Sequence, residues 1–339
     1  MHYILTKNTQ WIEPLQRELA QDLNTQSQKL RGLPVVTIDE TINLENKYIA
    51  FSTTALINTK LIPEDSISKQ ANQIVELIKE KVESEEFLNL HVFSMTQKYG
   101  VIETGRAEIL KDKIYKSLRK ERVKILRKEF NPSKAHAQVM ILDDRSAVIS
   151  IQSKEEVSNY RTLYSPYIGG FNNVEDDKKA PSRAFKKIVE AQEIMGKKIS
   201  AGETLIDLGA CPGGWTYIAR KNGASVIALD RSELREDLML DPEVTFLQTD
   251  AFKYRPEETL DWAVSDIIST PERVIELIET WVVGELCHNF IFTIKFQGSD
   301  GYNILTKFKD LAKKCSFDII LKQLNANKNE VTIMGSKQS

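Results

Sequence analysis

The stretch Leu205-Ile-Asp-Leu-Gly-Ala-Cys-Pro-Gly-Gly-Trp215, followed by Ser225-Val-Ile-Ala-Leu-Asp230, constrains this chain more than any other. A short apolar run is closed by a glycine, which predicts a buried strand and a tight turn. Pro212 fits the first turn of a helix, where its missing N–H is not needed. Gly209, Gly213 and Gly214 would let a ligand approach the backbone. Asp230 ends the second apolar run, about twenty residues past the turn. An acid there accepts hydrogen bonds from both hydroxyls of a ribose. The stretch therefore predicts a nucleoside cofactor over the carboxyl edge of a parallel sheet.

The glycine spacing narrows the cofactor. A dinucleotide turn reads G-x-G-x-x-G, and here the first glycine is followed by Ala-Cys-Pro-Gly-Gly. A G-x-x-x-x-G-K-[ST] phosphate loop does not occur. S-adenosylmethionine carries no phosphate and suits this turn better. The cofactor-binding candidates are Asp207, Gly209, Cys211, Pro212, Gly213, Gly214, Trp215, Asp230 and Asp266, with Asp250 on the adenine side. A plain tight strand–helix turn would explain the glycines, but not Asp207 before the turn together with Asp230 after it.

From 182 onward the pattern alternates helix and strand: a helix over 183–195, then strands starting near 205, 225, 244, 262 and 289. Two more, at 317–321 and 330–334, are separated by a polar turn. This predicts an α/β fold, a doubly wound and mostly parallel sheet with an antiparallel ending. Residues 1–151 read as mixed α+β, with strands at 2–5, 47–52 and 89–94. Helices are expected at 11–23 and 66–81, and a hairpin pairs 137–142 with 146–152. The expected divisions are 1–60, 61–155, a linker at 156–181 whose aromatic residues need partners, and 182–339.

The 339 residues contain three widely spaced cysteines, which argues against a disulfide framework or structural zinc. There is no apolar run of membrane-span length and no signal peptide, so a soluble cytoplasmic protein is expected. The net charge of −2 is not that of a typical nucleic-acid binder. The charge is uneven, however. Between 106 and 128 ten basic residues stand against three acidic ones. Ile109, Leu110, Ile114, Leu118, Ile125 and Leu126 recur there at roughly helical spacing. One or two helices with a buried stripe and a basic face are expected. Lys113, Lys116, Lys120 and Lys124 are the candidate RNA contacts, against the plainer alternative of a solvated surface.

Ligands bind outside the carboxyl ends of such sheets. Asp250, Asp266 and Lys295 follow strands there, Glu330 begins the last strand, and Lys187 lies on the helix before the glycine turn. A lysine ending a run as apolar as 289–294 is costly without a partner or a task. A structural salt bridge with Asp266 would answer that cost as well. The segment Ser182-Arg-Ala-Phe-Lys-Lys187, the 207–215 turn, Asp266, Lys295 and Glu330, in this order, resemble the FtsJ-like RNA ribose 2'-O-methyltransferases. The similarity covers the last 160 residues or so. The amino-terminal half more weakly resembles a ferredoxin-like piece (1–60) followed by a THUMP RNA-binding domain (61–155). The resemblance implies a Rossmann-like methyltransferase domain, S-adenosylmethionine as cofactor, no metal, and RNA as partner, ribosomal RNA foremost. It also implies a catalytic Lys-Asp-Lys-Glu tetrad, Lys187, Asp266, Lys295 and Glu330. Lys186 next to Lys187 leaves a one-residue ambiguity in the alignment.

The chemistry is consistent with that tetrad. A ribose 2'-hydroxyl must be aligned with the methyl group and lose its proton. A lysine serves as base only if burial or a neighbouring cation lowers its pKa toward ~7–8. Lys295 is assigned as base and Lys187 as the group positioning the hydroxyl. An exocyclic-amine methyltransferase would carry an Asn/Asp-Pro-Pro-Tyr/Phe turn where this chain has Ser265-Asp266-Ile-Ile-Ser. A carbon-5 pyrimidine enzyme would need a cysteine nucleophile beside the cofactor. The alternatives kept open are an RNA-binding module on a degenerate, non-catalytic methyltransferase fold, and a methyltransferase acting on transfer RNA.

Overall fold

A computed structural model describes residues 1–96, 100–102, 105–126, 130–172 and 174–338. The chain divides into two compact units, 1–172 and 173–339.

The amino-terminal unit holds two sheets. In the first, β1 (His2–Leu5), β2 (Gln28–Lys29), β3 (Val35–Ile38) and β4 (Thr54–Leu56) pair in the order β2-β3-β1-β4, antiparallel throughout. The helix α1 (Ile12–Leu23) packs against it through Leu15 and Leu19. The second sheet contains β5 (Lys60–Ile62), β6 (Phe87–Thr96), β7 (Gly100–Ile102), β8 (Lys124–Leu126), β9 (Ala135–Ile141) and β10 (Ala147–Gln152). Its order is β5-β10-β9-β6-β7, with β8 alongside the start of β6. The helices α2 (Ile67–Lys79) and α3 (Arg106–Lys120) pack on one face, over Leu88, Leu90 and Val92. Phe93 and Met95 join Leu5, Leu56, Met140 and Val148 on the other. With both faces covered, β6 shows a continuous buried run rather than alternation.

Three expectations for this unit need correction. Residues 47–52 are not a strand. They form a turn, buried over 49–52, because the Glu18 carboxylate of α1 accepts the N–H groups of Ala50 (2.6 Å) and Phe51 (3.0 Å). A side chain thus satisfies donors that a ladder would otherwise have taken. Ile109 is not part of the buried stripe of α3, which consists of Ala107, Leu110, Ile114 and Leu118; Ile109 is 50% exposed. Ile125 and Leu126 lie on β8, not on a helix. Arg127 and Lys128 lie outside the described residues. The 156–181 segment contains short helical turns at Val157–Tyr160 and Ile168–Gly170, and it buries Tyr160, Leu163 and Tyr164.

The carboxy-terminal unit is built on a seven-stranded sheet. Its strands are β11 (Thr204–Leu208), β12 (Ser225–Asp230), β13 (Val244–Gln248), β14 (Leu260–Ser265), β15 (Cys287–Lys295), β16 (Phe317–Lys322) and β17 (Glu330–Lys337). The order is β13-β12-β11-β14-β15-β17-β16. The first five are parallel; β17 runs antiparallel between β15 and β16. Helices α4 (Phe185–Met195), α5 (Gly214–Lys221), α6 (Glu236–Met239), α7 (Pro271–Ile278) and α8 (Leu305–Ala312) complete the unit. The chain leaves β11 toward β12 and β13, then returns to the other side for β14 and β15. The point between β11 and β14 is where the strand order reverses, and a crevice opens at such a point.

The glycine turn departs from expectation in two ways. The helix α5 starts at Gly214 with Gly213 as cap, so Pro212 precedes the helix rather than standing in its first turn. Gly213 (φ 103°) and Gly214 make room for protein, not ligand: a Cβ at Gly213 would lie 2.3 Å from Leu238 and one at Gly214 2.5 Å from Ser182. The helix is held at its start by Asp207, whose Oδ2 accepts from the Thr216 N–H (3.0 Å) and hydroxyl (2.8 Å). Burial pushes the Asp207 carboxyl up to about 7, and the charges of Asp266 and Asp230 push the same way, against the two Thr216 hydrogen bonds.

Asp207 therefore makes folding pH-dependent. Its folded pKa lies above the ordinary 3.8, so the folded state keeps a proton that the unfolded chain has lost. That contribution is complete below the unfolded value and disappears as pH rises through about 7. Asp207→Asn retains an acceptor for Thr216 but has no proton to lose. Urea unfolding from about pH 5 to about pH 8 should show wild-type stability falling relative to the variant, by at most about 1.4 kcal/mol per pH unit. Parallel curves would mean that Asp207 ionises as an ordinary carboxyl.

Candidate active site

The carboxyl edge of the seven-stranded sheet gathers charged groups delivered by four elements. Asp266 directly follows β14, Lys295 ends β15, and Lys187 lies in the first turn of α4. Glu330 begins β17. Because β17 runs antiparallel, its first residue comes to the edge where the parallel strands end, in register with Lys295.

These four side chains meet. Lys187 Nζ donates to Asp266 Oδ1 at 2.9 Å and Oδ2 at 3.0 Å, and lies 2.6 Å from Glu330 Oε1. Lys295 Nζ lies 3.1 Å from Asp266 Oδ1 and donates to the Asp266 carbonyl at 2.6 Å. Lys187 and Glu330 are buried, Asp266 nearly so, and Lys295 is the most open of the four, its side chain 23% exposed. Two cations thus face two anions, which offsets the cost of withdrawing each from water. The neighbouring Lys186 instead pairs with Asp176 at 2.7 Å. One residue of helical rotation separates the two lysines, and the structure brings Lys187, not Lys186, into the cluster.

A cavity of about 560 Å³ opens beside the cluster, at the reversal point of the strand order. Asp266 and Lys295 line one side of it; Gly209, Cys211, Pro212, Asp230 and Asp250 line the other. Asp230 Oδ2 accepts the Cys211 N–H at 2.9 Å, and its Oδ1 accepts that of Ser232 at 3.0 Å. Its carboxylate therefore fastens the glycine turn as well as facing the cavity. Asp250 Oδ1 accepts the Phe252 N–H at 3.0 Å. Burial, and then the Asp230 charge, push the Cys211 thiol up, which disfavours a thiolate nucleophile.

Four of the candidate cofactor residues, Asp207, Gly213, Gly214 and Trp215, do not line the cavity. Asp207 and Trp215 are buried, and the Trp215 indole donates to the Ala184 carbonyl at 2.9 Å. They shape the turn from behind. Conversely, Leu229, Ala251, Phe252, Ile267 and Ile268 line the cavity and were not singled out by the sequence. The available signal was position, since each neighbours a strand-end acid. The volume suits a nucleoside-sized ligand, with apolar walls and a few converging polar groups. Among the described residues no cluster of His, Cys, Asp or Glu could hold a metal ion.

The basic candidates lie in the other unit. Lys113, Lys116 and Lys120 are on α3, with Lys116 and Lys120 exposed. Lys124 is on β8 and pairs with Glu85 at 2.9 Å. Arg106 is used internally, donating to the Asp65 carbonyl and to Gln70 Oε1. Among the described residues, no helix is long and apolar enough to cross a membrane.

Residues 180–339 match the family model described as FtsJ-like methyltransferase. The large-subunit ribosomal RNA methyltransferase M of Psychromonas ingrahamii is 31% identical over 219 residues, covering 60% of this chain and 57% of that protein. The protein of the same name from Pseudomonas entomophila is 34% identical over 175 residues, 48% of this chain and 49% of the relative. That of Chromohalobacter salexigens is 37% identical over 135 residues, 38% of each. The chain spans about half the length of the curated relatives it matches. Residues 180–339, which hold the carboxy-terminal sheet and its edge cluster, are thus similar to the FtsJ-like methyltransferases.

Proposed function

We propose that this protein transfers a methyl group from S-adenosylmethionine to a ribose 2'-hydroxyl of RNA, and that the RNA is ribosomal. The observation that carries this reading is the Lys187–Asp266–Lys295–Glu330 cluster at the wall of a nucleoside-sized cavity. The choice of ribosomal RNA is supported by the names of the relatives. The 61–155 region is assigned as the THUMP-like RNA-binding part, after a ferredoxin-like piece at 1–60, and the cytoplasm as the place of action.

When bound, the sulfonium supplies a methyl group that is already activated. Asp230 would hold the ribose of the cofactor, and Asp250 and Phe252 its adenine end. Lys187 is committed to three carboxylate oxygens. Lys295 contacts one carboxylate oxygen and one carbonyl, and it lines the cavity. Lys295 is therefore assigned as the group that, in its unprotonated amine form, takes the hydroxyl proton, while Lys187 positions the cluster through Asp266 and Glu330. Holding the hydroxyl in line with the methyl group contributes through orientation, up to ~7–11 kcal/mol in ideal cases.

Lys295→Ala should abolish turnover while cofactor and RNA still bind, because the loss falls on the transition state. Lys295→Arg should not rescue it, since a guanidinium stays protonated. RNA carrying a 2'-deoxy residue at the target should bind and accept no methyl group; methylation of that RNA would move the acceptor to a base atom.

Asp230→Ala should weaken cofactor binding by about 1–3 kcal/mol, measured by calorimetry with S-adenosylhomocysteine. Unchanged affinity would remove Asp230 from the cofactor site.

Replacing Lys113, Lys116, Lys120 and Lys124 together by Gln should weaken RNA binding and flatten its salt dependence. The log–log slope should fall by up to ~0.7–0.9 for each phosphate that is no longer neutralised. Lys124 should matter least, because Glu85 already pairs with it. If affinity and slope keep their wild-type values, the α3 surface is solvated and nothing more.

A further inference from the structure

Ile268 is the most exposed large apolar side chain of the described residues, at 90%, and it lines the cavity beside the lysine cluster. Single exposed apolar residues are common and need no explanation in themselves. This one differs in how its backbone is held. Ser265 Oγ donates to the Leu208 carbonyl at 2.8 Å, and the Asp266 carbonyl accepts from Lys295 Nζ at 2.6 Å. Ile267 is pressed on Gly209, so closely that a Cβ at Gly209 would lie 2.8 Å from it. The three residues before Ile268 are therefore each pinned to the sheet edge. The polar Ser269 and Thr270 follow it and lead into α7. An apolar side chain kept in solvent on a pinned backbone is already arranged for a partner, which reduces the ordering cost of binding.

The position selects the partner. Ile268 is two residues from Asp266, and two residues of chain span at most ~7 Å. Asp266 in turn lies 3.1 Å from Lys295 Nζ. A sugar hydroxyl at Lys295 would bring the base of its own nucleotide within reach of Ile268. The cofactor's acid, Asp230, ends β12, which lies two strands from β14, a lateral separation of ~10 Å. We infer that Ile268 is an apolar contact for the base attached to the acceptor ribose, holding that nucleotide unstacked over the lysine cluster. This rests on the ribose 2'-hydroxyl reading above. A base face is apolar and every base has one, so the contact positions the nucleotide without specifying its identity.

The test compares wild type, Ile268→Ala and Ile268→Leu on large-subunit ribosomal RNA, with S-adenosylhomocysteine affinity measured in parallel. The Ala variant should raise KM for RNA about tenfold, at unchanged cofactor affinity, because it buries less apolar area against the base. The Leu variant should restore KM. Unchanged kinetics in the Ala variant would overturn the inference, as would a loss confined to cofactor affinity, which would make Ile268 a wall of the cofactor site. If wild type itself transfers no methyl group to ribose, the underlying reading fails, and this inference fails with it.

Discussion

Two lysine ammonium groups cannot be withdrawn from water side by side without anions between them, and here the carboxylate of Asp266 touches both. Removing it would leave two partly buried cations on one remaining acid, Glu330, which contacts only the deeper lysine among the described pairs. The demand reaches back into the topology. Asp266 and Lys295 are delivered by adjacent parallel strands. Glu330 arrives only because β17 reverses direction and starts where the others end. The antiparallel ending of the sheet is thus what completes the charge balance.

The same edge divides into two electrostatic halves. On the β14–β15–β17 side each acid has a lysine. On the β11–β12 side no ion pair to Asp207 or Asp230 is found among the described residues, and both spend oxygens on backbone N–H groups. Asp207 is the buried member, and it is the carboxyl whose proton is retained up to about 7. Asp230 faces the cavity, where hydroxyl donors of a nucleoside would add to its hydrogen bonds. Burial and exposure of two otherwise similar acids thus separate a support for the turn from a surface for a ligand.

Much of the carboxy-terminal unit was legible because its signals are local. Apart from β13, each parallel strand is a short apolar run closed by glycine or a charged residue, and the edge residues follow directly from that punctuation. Three things were not local. Lys186 and Lys187 are one step apart on a helix, and only contact with Asp266 and Glu330 distinguishes them. Gly213 and Gly214 looked like room for a ligand, yet the space is taken by Leu238 and Ser182. Residues 47–52 carry an apolar pattern suited to a strand, but Glu18, some thirty residues earlier, takes their N–H groups. Short strands such as β2, β5 and β8 have two or three residues, too few for any periodicity to register.

The basic segment illustrates a different limit. Periodicity correctly placed Leu110, Ile114 and Leu118 on one buried stripe, but it could not say which cations stay available. Arg106 turns inward to Asp65 and Gln70, and Lys124 leaves the helix for a strand and an acid partner. The span's surplus of positive charge is therefore concentrated on fewer positions than a count suggests, chiefly the outer face of α3 with Lys116, Arg119 and Lys120 exposed. Phosphate binding responds to such local density rather than to the net charge of −2 of the whole chain. A chain that is slightly acidic overall can for that reason still offer an anionic polymer a surface, provided the cations on it are not already paired.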